Sequence, residues 1–285
     1  MARVVLPESG LRARRRRRRM FVAVGAWAAC VAVIAGIIAL SHAPFLRITT
    51  IEISGGKTVA AEALESTVRE LLSGSYFYLV PRNNIFLYPK EDLGAALVKA
   101  YPTLREVSVH AQNFTTVALE AQDREPRALW CGENFERTEQ CVLLDEEGTA
   151  YALAPDFSEN PYVHYYGPLA GGDLPGAFLT PERFRALSAL VDALAQAQHA
   201  LTVEGVAVDE VGDARLRFAN GFALLFALAD DGGDVFERFS LALTAEPFKE
   251  RTLDDFEYLD LRFGDKLYYK AKEHAQEESA SPQVE

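Results

Sequence analysis

The 285-residue sequence has few of the side-chain patterns that build catalytic or metal centres. Its five histidines are scattered, and none has the spacing to another ligand that a metal site needs. It contains no Gly-x-Ser-x-Gly motif, no glycine-rich phosphate loop and no dinucleotide-binding fingerprint. The sequence therefore predicts no metal, no cofactor and no enzymatic activity. Acidic residues are plentiful, so a catalytic carboxylate pair formed only in the folded chain stays open as an alternative.

Cysteine is also scarce, with three residues in the chain. Cys30 lies within a long apolar run and is interpreted as a small apolar residue there. Cys131 and Cys141 flank a polar loop, and each adjoins an apolar run, as in a hairpin whose ends face each other. In an oxidising compartment, a disulfide between them would stabilise the fold by about 2–3 kcal/mol on the chain-entropy account. Two buried free thiols are the alternative.

Negative charge is almost absent from the start of the chain and dominates the rest. Before Met20 there is one acidic residue, Glu8, against eight basic ones, namely Arg3, Arg12 and residues 14–19. This tail therefore carries a formal charge of +7, and the remainder carries −19 within the net charge of −12. So acidic a remainder is a poor candidate for binding nucleic acid or anionic lipid surfaces.

One long apolar run follows the basic tail. Residues 20–40 contain no charge and no proline, and as a helix they would be about 30 Å long, the thickness of a bilayer's hydrocarbon core. The preceding arginines favour a cytoplasmic N-terminus. The sequence thus predicts a cytoplasmic tail over 1–19, a transmembrane helix over 20–40 and an exported remainder. A cleaved secretory signal ending at Ser41-His42-Ala43 is the alternative, although the apolar region of a signal is usually shorter, at about 7–15 residues.

The chain after the apolar run predicts a small unit of two helices on a three-stranded sheet. Periodicity gives the elements in the order strand 46–54, helix 59–72, helix 89–100, strand 104–111 and strand 115–120. Ser54 and Lys57 have the Ser-x-x-Lys spacing of some acyl-transfer enzymes. They fall on a Gly-Gly turn rather than a helix, which argues against that chemistry.

The second half predicts a mainly antiparallel β domain with two helices. Its expected strands are 128–131, 141–144, 150–153, 201–208, 214–218 and 222–227, and its expected helices are 181–199, ending near His199, and 234–245. Residues 155–176 are rich in Pro, Gly and Tyr and are interpreted as a surface loop. Asp145 precedes a glycine turn and is interpreted as a turn former, not as an acid catalyst.

The chain closes with a predicted hairpin, in which strands 257–263 and 266–270 flank a Gly264-Asp265 turn. Alternation places Leu259, Leu261 and Phe263 of the first strand on one face. It places Tyr258, Asp260 and Arg262 on the other face. The last strand has a lysine at each end, as a guarded edge strand does. A partner could add a strand there. Residues 271–285 are polar and predicted to be disordered.

Several stretches in this order resemble one known family. They are residues 51–55, 84–86, 101–109, 116–128 and 144–151, and above all the closing hairpin from Tyr258. Together, directly after one membrane span, they resemble the FtsQ/DivIB family of bacterial cell-division proteins. The resemblance implies a POTRA domain over 46–124 and an FtsQ-type β domain over 125–270.

The resemblance also implies a function. The protein would be a non-enzymatic scaffold of the divisome, anchored in the cytoplasmic membrane at the septum. It would bind FtsB/DivIC-like and FtsL-like bitopic proteins through the closing hairpin, and other divisome proteins through its POTRA domain. Arg262 would pair with an acidic residue of the partner, and the last strand would supply main-chain hydrogen bonds. The implied contact residues are Tyr258, Asp260, Arg262, Phe263, Lys266, Leu267, Tyr268, Tyr269 and Lys270.

Two alternatives come from other classes of protein. One is a membrane-anchored exported hydrolase, which would depend on a buried carboxylate or serine. The other is a POTRA-bearing chaperone or secretion module. It is weakened because one such unit occurs and no barrel of alternating strands follows it.

Overall fold

The computed structural model describes residues 10–136, 140–157, 161–172, 174–196, 202–264 and 266–272, with side chains from residue 14 onward. Within these residues it is a mixed α+β protein with five α-helices and a large, mostly antiparallel sheet. The chain divides into two compact units, Met1–Asp123 and Arg124–Glu285. The predictions for His199, Asp265 and the tail beyond Lys272 lie outside the described residues.

The first helix, α1 (Gly10–Ser41), is long and apolar enough to cross a membrane. Its side chains are exposed from Arg14 to Leu40 with one exception, Ile38, which is half-buried. Ser41, the last helical residue, is buried. From Arg14 onward, the described side chains of the helix therefore contact the rest of its unit only in the final turn. The apolar surface of the helix is otherwise uncovered.

The first unit has the predicted order of strand, two helices and two strands, with a short hairpin added between the helices. Its elements are β1 (Thr50–Gly55), α2 (Ala61–Leu71), β2 (Ser75–Tyr76), β3 (Val80–Pro81), α3 (Lys90–Ala100), β4 (Leu104–Ala111) and β5 (Thr116–Asp123). The sheet order is β1-β5-β4, with β1 parallel and β4 antiparallel to β5. Leucines of both helices and of the sheet form one core, among them the fully buried Leu64, Leu97 and Leu119.

The start of this unit differs from the prediction of a strand over 46–54. Pro44–Leu46 form a short 3₁₀ helix, and β1 begins only at Thr50. The intervening segment bonds elsewhere, because the N–H of Ile48 donates to the Asn83 carbonyl at 2.8 Å and the N–H of Ile85 donates to the Leu46 carbonyl at 2.9 Å. Apolar alternation predicted the burial of this segment but could not reveal which main chain it pairs with.

The second unit is built on a ten-stranded sheet with two helices, α4 (Pro181–Gln196) and α5 (Gly232–Thr244). Its strands are β6 (Ala128–Trp130), β7 (Val142–Leu144), β8 (Thr149–Leu153), β9 (His164–Tyr166), β10 (Gly176–Ala177), β11 (Val203–Val208), β12 (Asp213–Phe218), β13 (Ala223–Ala227), β14 (Phe256–Phe263) and β15 (Lys266–Ala271). They lie in the order β10-β8-β7-β6-β9-β11-β12-β13-β14-β15. The pairs β6–β9, β9–β11 and β13–β14 are parallel and the others are antiparallel.

The prediction of a surface loop over 155–176 was wrong at its centre. β9 lies in the interior of the sheet between β6 and β11, and Tyr165 and Tyr166 are buried. A three-residue strand is too short to show a period, and burial on both faces removes the polar alternation that marks a strand. The glycines and prolines around β9 are typical of a loop. Its pairing with β6 and β11, which are distant in sequence, could not be predicted from neighbouring residues.

Cys131 and Cys141 are joined in a disulfide with an S–S distance of 2.04 Å. Cys131 is fully buried and lies in a small apolar cluster with Leu129 and Tyr166. The bond closes the loop that follows β6 and so connects the ends of β6 and β7. Cys30 is free and exposed on α1.

Removing the disulfide should destabilise the second unit. The double variant Cys131→Ala/Cys141→Ala is expected to lose about 2–3 kcal/mol of unfolding free energy, because its unfolded chain regains the freedom of the closed loop. Urea unfolding of the full chain in detergent, followed through Trp130, measures the loss. Cys30→Ala is the matched control and should leave the transition unchanged, since Cys30 lies on the exposed surface of α1. Equal stabilities for wild type and double variant would contradict a structural role for the bond.

The contact of α3 with β4 gives a second prediction. A side chain at Gly94 would place its Cβ 2.6 Å from the Val107 carbonyl oxygen. Gly94→Ala should therefore destabilise the first unit by about 1–3 kcal/mol through overpacking, although alanine is the better helix former by about 1 kcal/mol. Urea unfolding of residues 44–272 followed by circular dichroism measures the effect. The exposed Ala95→Gly calibrates helix propensity in the same helix, and stabilisation by Gly94→Ala would contradict the close packing.

Candidate functional site

The closing hairpin, β14 and β15, ends the large sheet. β15 is the last strand in the sheet order, and no strand in the described part of the chain pairs with its outer edge. Its residues are exposed from Lys266 to Lys270. An edge of this kind presents a row of main-chain N–H and C=O groups that another strand can bond. The predicted edge strand is therefore present, and it extends one residue further, to Ala271.

Two lysines stand at the ends of this edge, as the sequence indicated. Lys266 lies opposite Phe263 at the start of the hairpin. Lys270 forms a salt bridge of 2.7 Å with Glu257, and both side chains are largely exposed. An exposed pair of this kind adds little stability. The lysines therefore disfavour non-specific strand pairing but leave the main-chain groups of the outer edge accessible.

An aromatic cluster holds the inner face of β15 in place. The Tyr269 ring lies 5.4 Å from the Phe248 ring and 5.7 Å from the Phe256 ring, measured between centroids. Phe256 is fully buried and belongs to the main core. Tyr269, a predicted contact residue, thus serves first as the anchor of the edge strand.

Arg262 is bound by two carboxylates of its own chain. Its Nη2 lies 2.6 Å from Asp260 Oδ2, its Nε donates to Asp260 Oδ1 at 2.9 Å, and its Nη1 donates to Asp213 of β12. Burial alone would raise the pKa of Asp260, but hydrogen bonds from the Arg262 side chain and main chain outweigh burial and lower that pKa. Hydrogen bonds to Asp260 and Asp213 in turn raise the pKa of Arg262. The side chain of Arg262 therefore links β14 to β12 within the folded chain, independently of any partner protein.

The predicted alternation fails at Phe263. Leu259 and Leu261 are buried on the helix side of the sheet, but a bulge follows Asp260, and the Phe263 side chain is 55% exposed. Its ring lies 5.1 Å from the Tyr268 ring, edge to face, and 5.8 Å from the Arg262 guanidinium. The bulge thus brings Phe263 and Tyr268 together as an exposed aromatic pair at the open edge.

Between α5 and the hairpin lies an apolar cleft of about 340 Å³. Leu267 of β15 and Leu241 of α5 line it, and both are exposed. Arg238 forms its back wall, donating from Nη1 to the carbonyls of Leu261 at 3.0 Å and Gly264 at 3.3 Å. Sequence reasoning missed Leu241 and Arg238, because only the packing of α5 against β14 brings them to the hairpin.

The opposite, outer face of the sheet carries a larger and more polar cleft of about 590 Å³. Arg215, Arg217 and Arg262 line it together with Asp213, and the Arg217 guanidinium lies 4.3 Å from the centroid of the Phe135 ring. Its lining therefore contains charges of both signs. Tyr258, the remaining predicted contact residue, is half-buried on β14 opposite Lys270.

Ser54 and Asp145, which the sequence analysis considered for catalysis, have hydrogen-bond partners within the fold. Among the described residues, no group of three or more His, Cys, Asp or Glu side chains could hold a metal ion. The Ser54 hydroxyl donates to the Leu119 carbonyl at 3.4 Å. Asp145 accepts the N–H groups of Glu147 and Thr149, each at 2.9 Å, so it holds the turn as predicted.

Comparison with known proteins found no family model and no curated protein that matches the chain. The site is therefore defined by its geometry: the closing hairpin carries an open strand edge and an exposed aromatic pair, and an apolar cleft lies between the hairpin and α5. These features suit the binding of an extended segment.

The Arg262 interactions predict a pH-dependent contribution to stability. Arg262→Gln should cost about 1–2 kcal/mol at about pH 7, because it leaves the buried Asp260 without its charged partner. The pKa of Asp260 is lowered by folding, so its stabilisation is present above the ordinary carboxyl pKa of 3.8 and is lost as the pH falls through the lowered value. Urea unfolding at about pH 7 and at lower pH should show a gap in stability between wild type and Arg262→Gln that narrows as the pH falls below 3.8. The exposed Arg215→Gln is the control, expected within about 0.5 kcal/mol of wild type, and a gap that widens in acid would contradict the assignment.

Proposed function

We propose that this protein is a bitopic, non-enzymatic scaffold of the bacterial divisome, of the FtsQ/DivIB type. The observation that carries the proposal is the open outer edge of β15 at the end of a ten-stranded sheet. The order of parts agrees with it: an apolar helix, then a unit with the order strand, helix, helix, strand, strand, then the large sheet. In this proposal the first unit is a POTRA domain.

The proposed partner is an FtsB/DivIC-like bitopic protein that comes with an FtsL-like one. Its extracytoplasmic segment would add a strand to β15, with main-chain hydrogen bonds supplying affinity. Specificity would come from side chains on either side of that strand. One face would meet the Phe263–Tyr268 pair, and the other would fill the cleft at Leu267.

The rigidity of the hairpin supports this mode of binding. Tyr269 packs β15 against Phe256 of the core. Arg262 on β14 donates to Asp213 on β12, and Arg238 donates to two main-chain carbonyls near the turn. An edge held in place before binding loses little conformational freedom when a strand is added. The partner therefore bears most of the ordering cost, as a mobile linear segment can.

The membrane helix has a part in the same mechanism. With the arginine-rich tail in the cytoplasm, α1 would anchor the chain in the cytoplasmic membrane and place both units outside it. Confinement to one plane raises the effective concentration of membrane-bound partners. The POTRA-type unit would bind further divisome proteins and direct the complex to the septum. The formal charge of −19 on the chain after Arg19 disfavours binding to nucleic acid.

The proposal predicts that the outer N–H groups of β15 are required for binding. Successive amides of a strand point to alternate edges, so only one of Tyr268→Pro and Tyr269→Pro removes an outward N–H while sparing the β14–β15 ladder. In a calorimetric titration of residues 44–272, wild type should bind the extracytoplasmic segment of the same organism's FtsB-like protein at about micromolar affinity or tighter. The proline variant that stays folded should lose at least about tenfold in affinity, or about 1.4 kcal/mol.

Threonine at the same position as the folded proline variant, Tyr268→Thr or Tyr269→Thr, is the matched control. It keeps the N–H and removes the ring, so it should retain most of the main-chain contribution. Circular dichroism and urea unfolding identify which proline variant is folded. Binding that survives a proline at the outward amide would move the site away from this edge. A folded wild type that binds nothing would count against the scaffold and restore the exported hydrolase as the better hypothesis.

A further inference from the structure

The hairpin between α2 and α3 ends in a turn that exposes three large apolar side chains. The N–H of Leu79 donates to the Tyr76 carbonyl at 3.0 Å and closes this turn. Phe77, Tyr78 and Leu79 are 91%, 98% and 54% exposed. Single exposed apolar residues are common on soluble proteins, but three consecutive ones at a loop tip indicate a contact surface.

The main chain of this turn is also unusual. Phe77 has a φ of 49° and Tyr78 a φ of 62°, and they are the only non-glycine residues with positive φ in the described part of the chain. Hairpin turns with positive φ at both central residues favour Asn-Gly, because side chains with a large Cβ substituent are strained there. Bulky aromatic residues at both positions are therefore costly to the fold, and such outliers cluster at functional sites.

The hairpin stands beside the end of α1. β3 lies against α1, and the Asn84 side chain just beyond β3 donates from Nδ2 to the Ser41 carbonyl at 3.0 Å. From Arg14 onward, Ile38 and Ser41 are the only residues of α1 that are covered, so this contact is with the final turn of the helix. The tip 77–79 therefore projects from the point at which the apolar helix meets its folded unit.

Every other exposed large apolar side chain described between His42 and Asp123 lies close to the same end; these are Phe45, Phe86, Leu87 and Phe114. Phe86 follows Asn84 directly, and its N–H donates to Asn84 Oδ1 at 3.0 Å. The Phe86 and Phe114 rings are 6.1 Å apart, edge to face. The exposed aromatic residues of the unit are thus gathered around the end of α1 and are absent from the described outer faces of α2 and α3.

We infer that the tip 77–79 is inserted in the interfacial layer of the membrane that α1 enters. Aromatic side chains are favoured at that depth, where their rings leave water and their polar edges stay hydrated. Arg82 at the base of the hairpin lies 5.3 Å from the centroid of the Tyr76 ring and supplies a positive charge at the level of the lipid phosphates. The contact depends on ring burial rather than on net charge, which suits an acidic exported part.

This inference rests on the proposed membrane anchoring and adds a second membrane contact to it. One helix alone lets a folded unit tilt and rotate about its attachment. A second contact at the hairpin tip restricts that motion and sets which face of the first unit looks away from the bilayer.

The test uses the full chain in vesicles of phosphatidylethanolamine and phosphatidylglycerol, with Cys30→Ala and the disulfide intact. Leu79→Cys carries an environment-sensitive fluorophore, and spin-labelled lipid with its quencher near the headgroup reports contact. The labelled tip is expected to be quenched at least about twofold. Combining the label with Phe77→Asn/Tyr78→Gly supplies the residues that the turn prefers, so the hairpin should fold as well or better while the quenching is lost.

Two further labelled positions separate the inference from the anchoring. Ile34→Cys on α1 should be quenched by lipid labelled deeper in the acyl chain whenever the helix is in the bilayer. Lys57→Cys lies just past the C-terminal end of β1, whose six residues extend over about 20 Å, and should not be quenched. Quenching at Ile34 without quenching at Leu79 overturns the inference and leaves the anchoring intact, whereas no quenching at either overturns both.

Two other outcomes would also overturn the inference. The first is quenching at Leu79 that persists in the Asn-Gly variant, because the aromatic tip would then not hold the contact. The second is a fluorophore that responds only when a partner protein is added to the vesicles, because the tip would then be a protein-binding surface.

Discussion

Main-chain hydrogen bonding constrains both α1 and β15. α1 satisfies its N–H and C=O groups within its own turns, which is the condition for a segment to lie in hydrocarbon. The large sheet cannot do the same, because each strand depends on a neighbour and the described part of the chain provides none beyond β15. α1 is therefore suited to lipid, and β15 is left with an edge that only water or another strand can satisfy.

The open edge is useful because the hairpin behind it is held from three directions. Tyr269 packs on Phe248 and Phe256, Arg262 links β14 to Asp213, and Arg238 bonds the carbonyls near the turn. None of these contacts uses the outer main chain of β15. The outer edge of β15 can thus be accessible to a partner while the strand itself stays ordered.

Local pattern was sufficient for much of the fold. The charge-free run of α1, the helical spacing of α2 and α3, the alternation of β4 and β5 and the two strands of the closing hairpin are predicted from neighbouring residues. The structure contains all of these elements. β9 could not be read in this way. His164, Tyr165 and Tyr166 become a central strand only because β6 and β11 lie on either side, and those strands come from distant parts of the chain.

The sequence by itself determined the apolar helix, the order of elements in the first unit and the edge strand with its two lysines, because each depends on periodicity or charge within a short window. Tertiary structure alone decided the chemistry around them. Arg262 was predicted to pair with an acidic residue of a partner. In the structure it already bonds Asp213 of its own chain, forty-nine residues earlier. The interpretation of the exposed tip 77–79 depends on the packing of β3 against α1 and on the hydrogen bond from Asn84 to Ser41. Such contacts depend on which distant segments the folded chain brings together, and no local pattern records that.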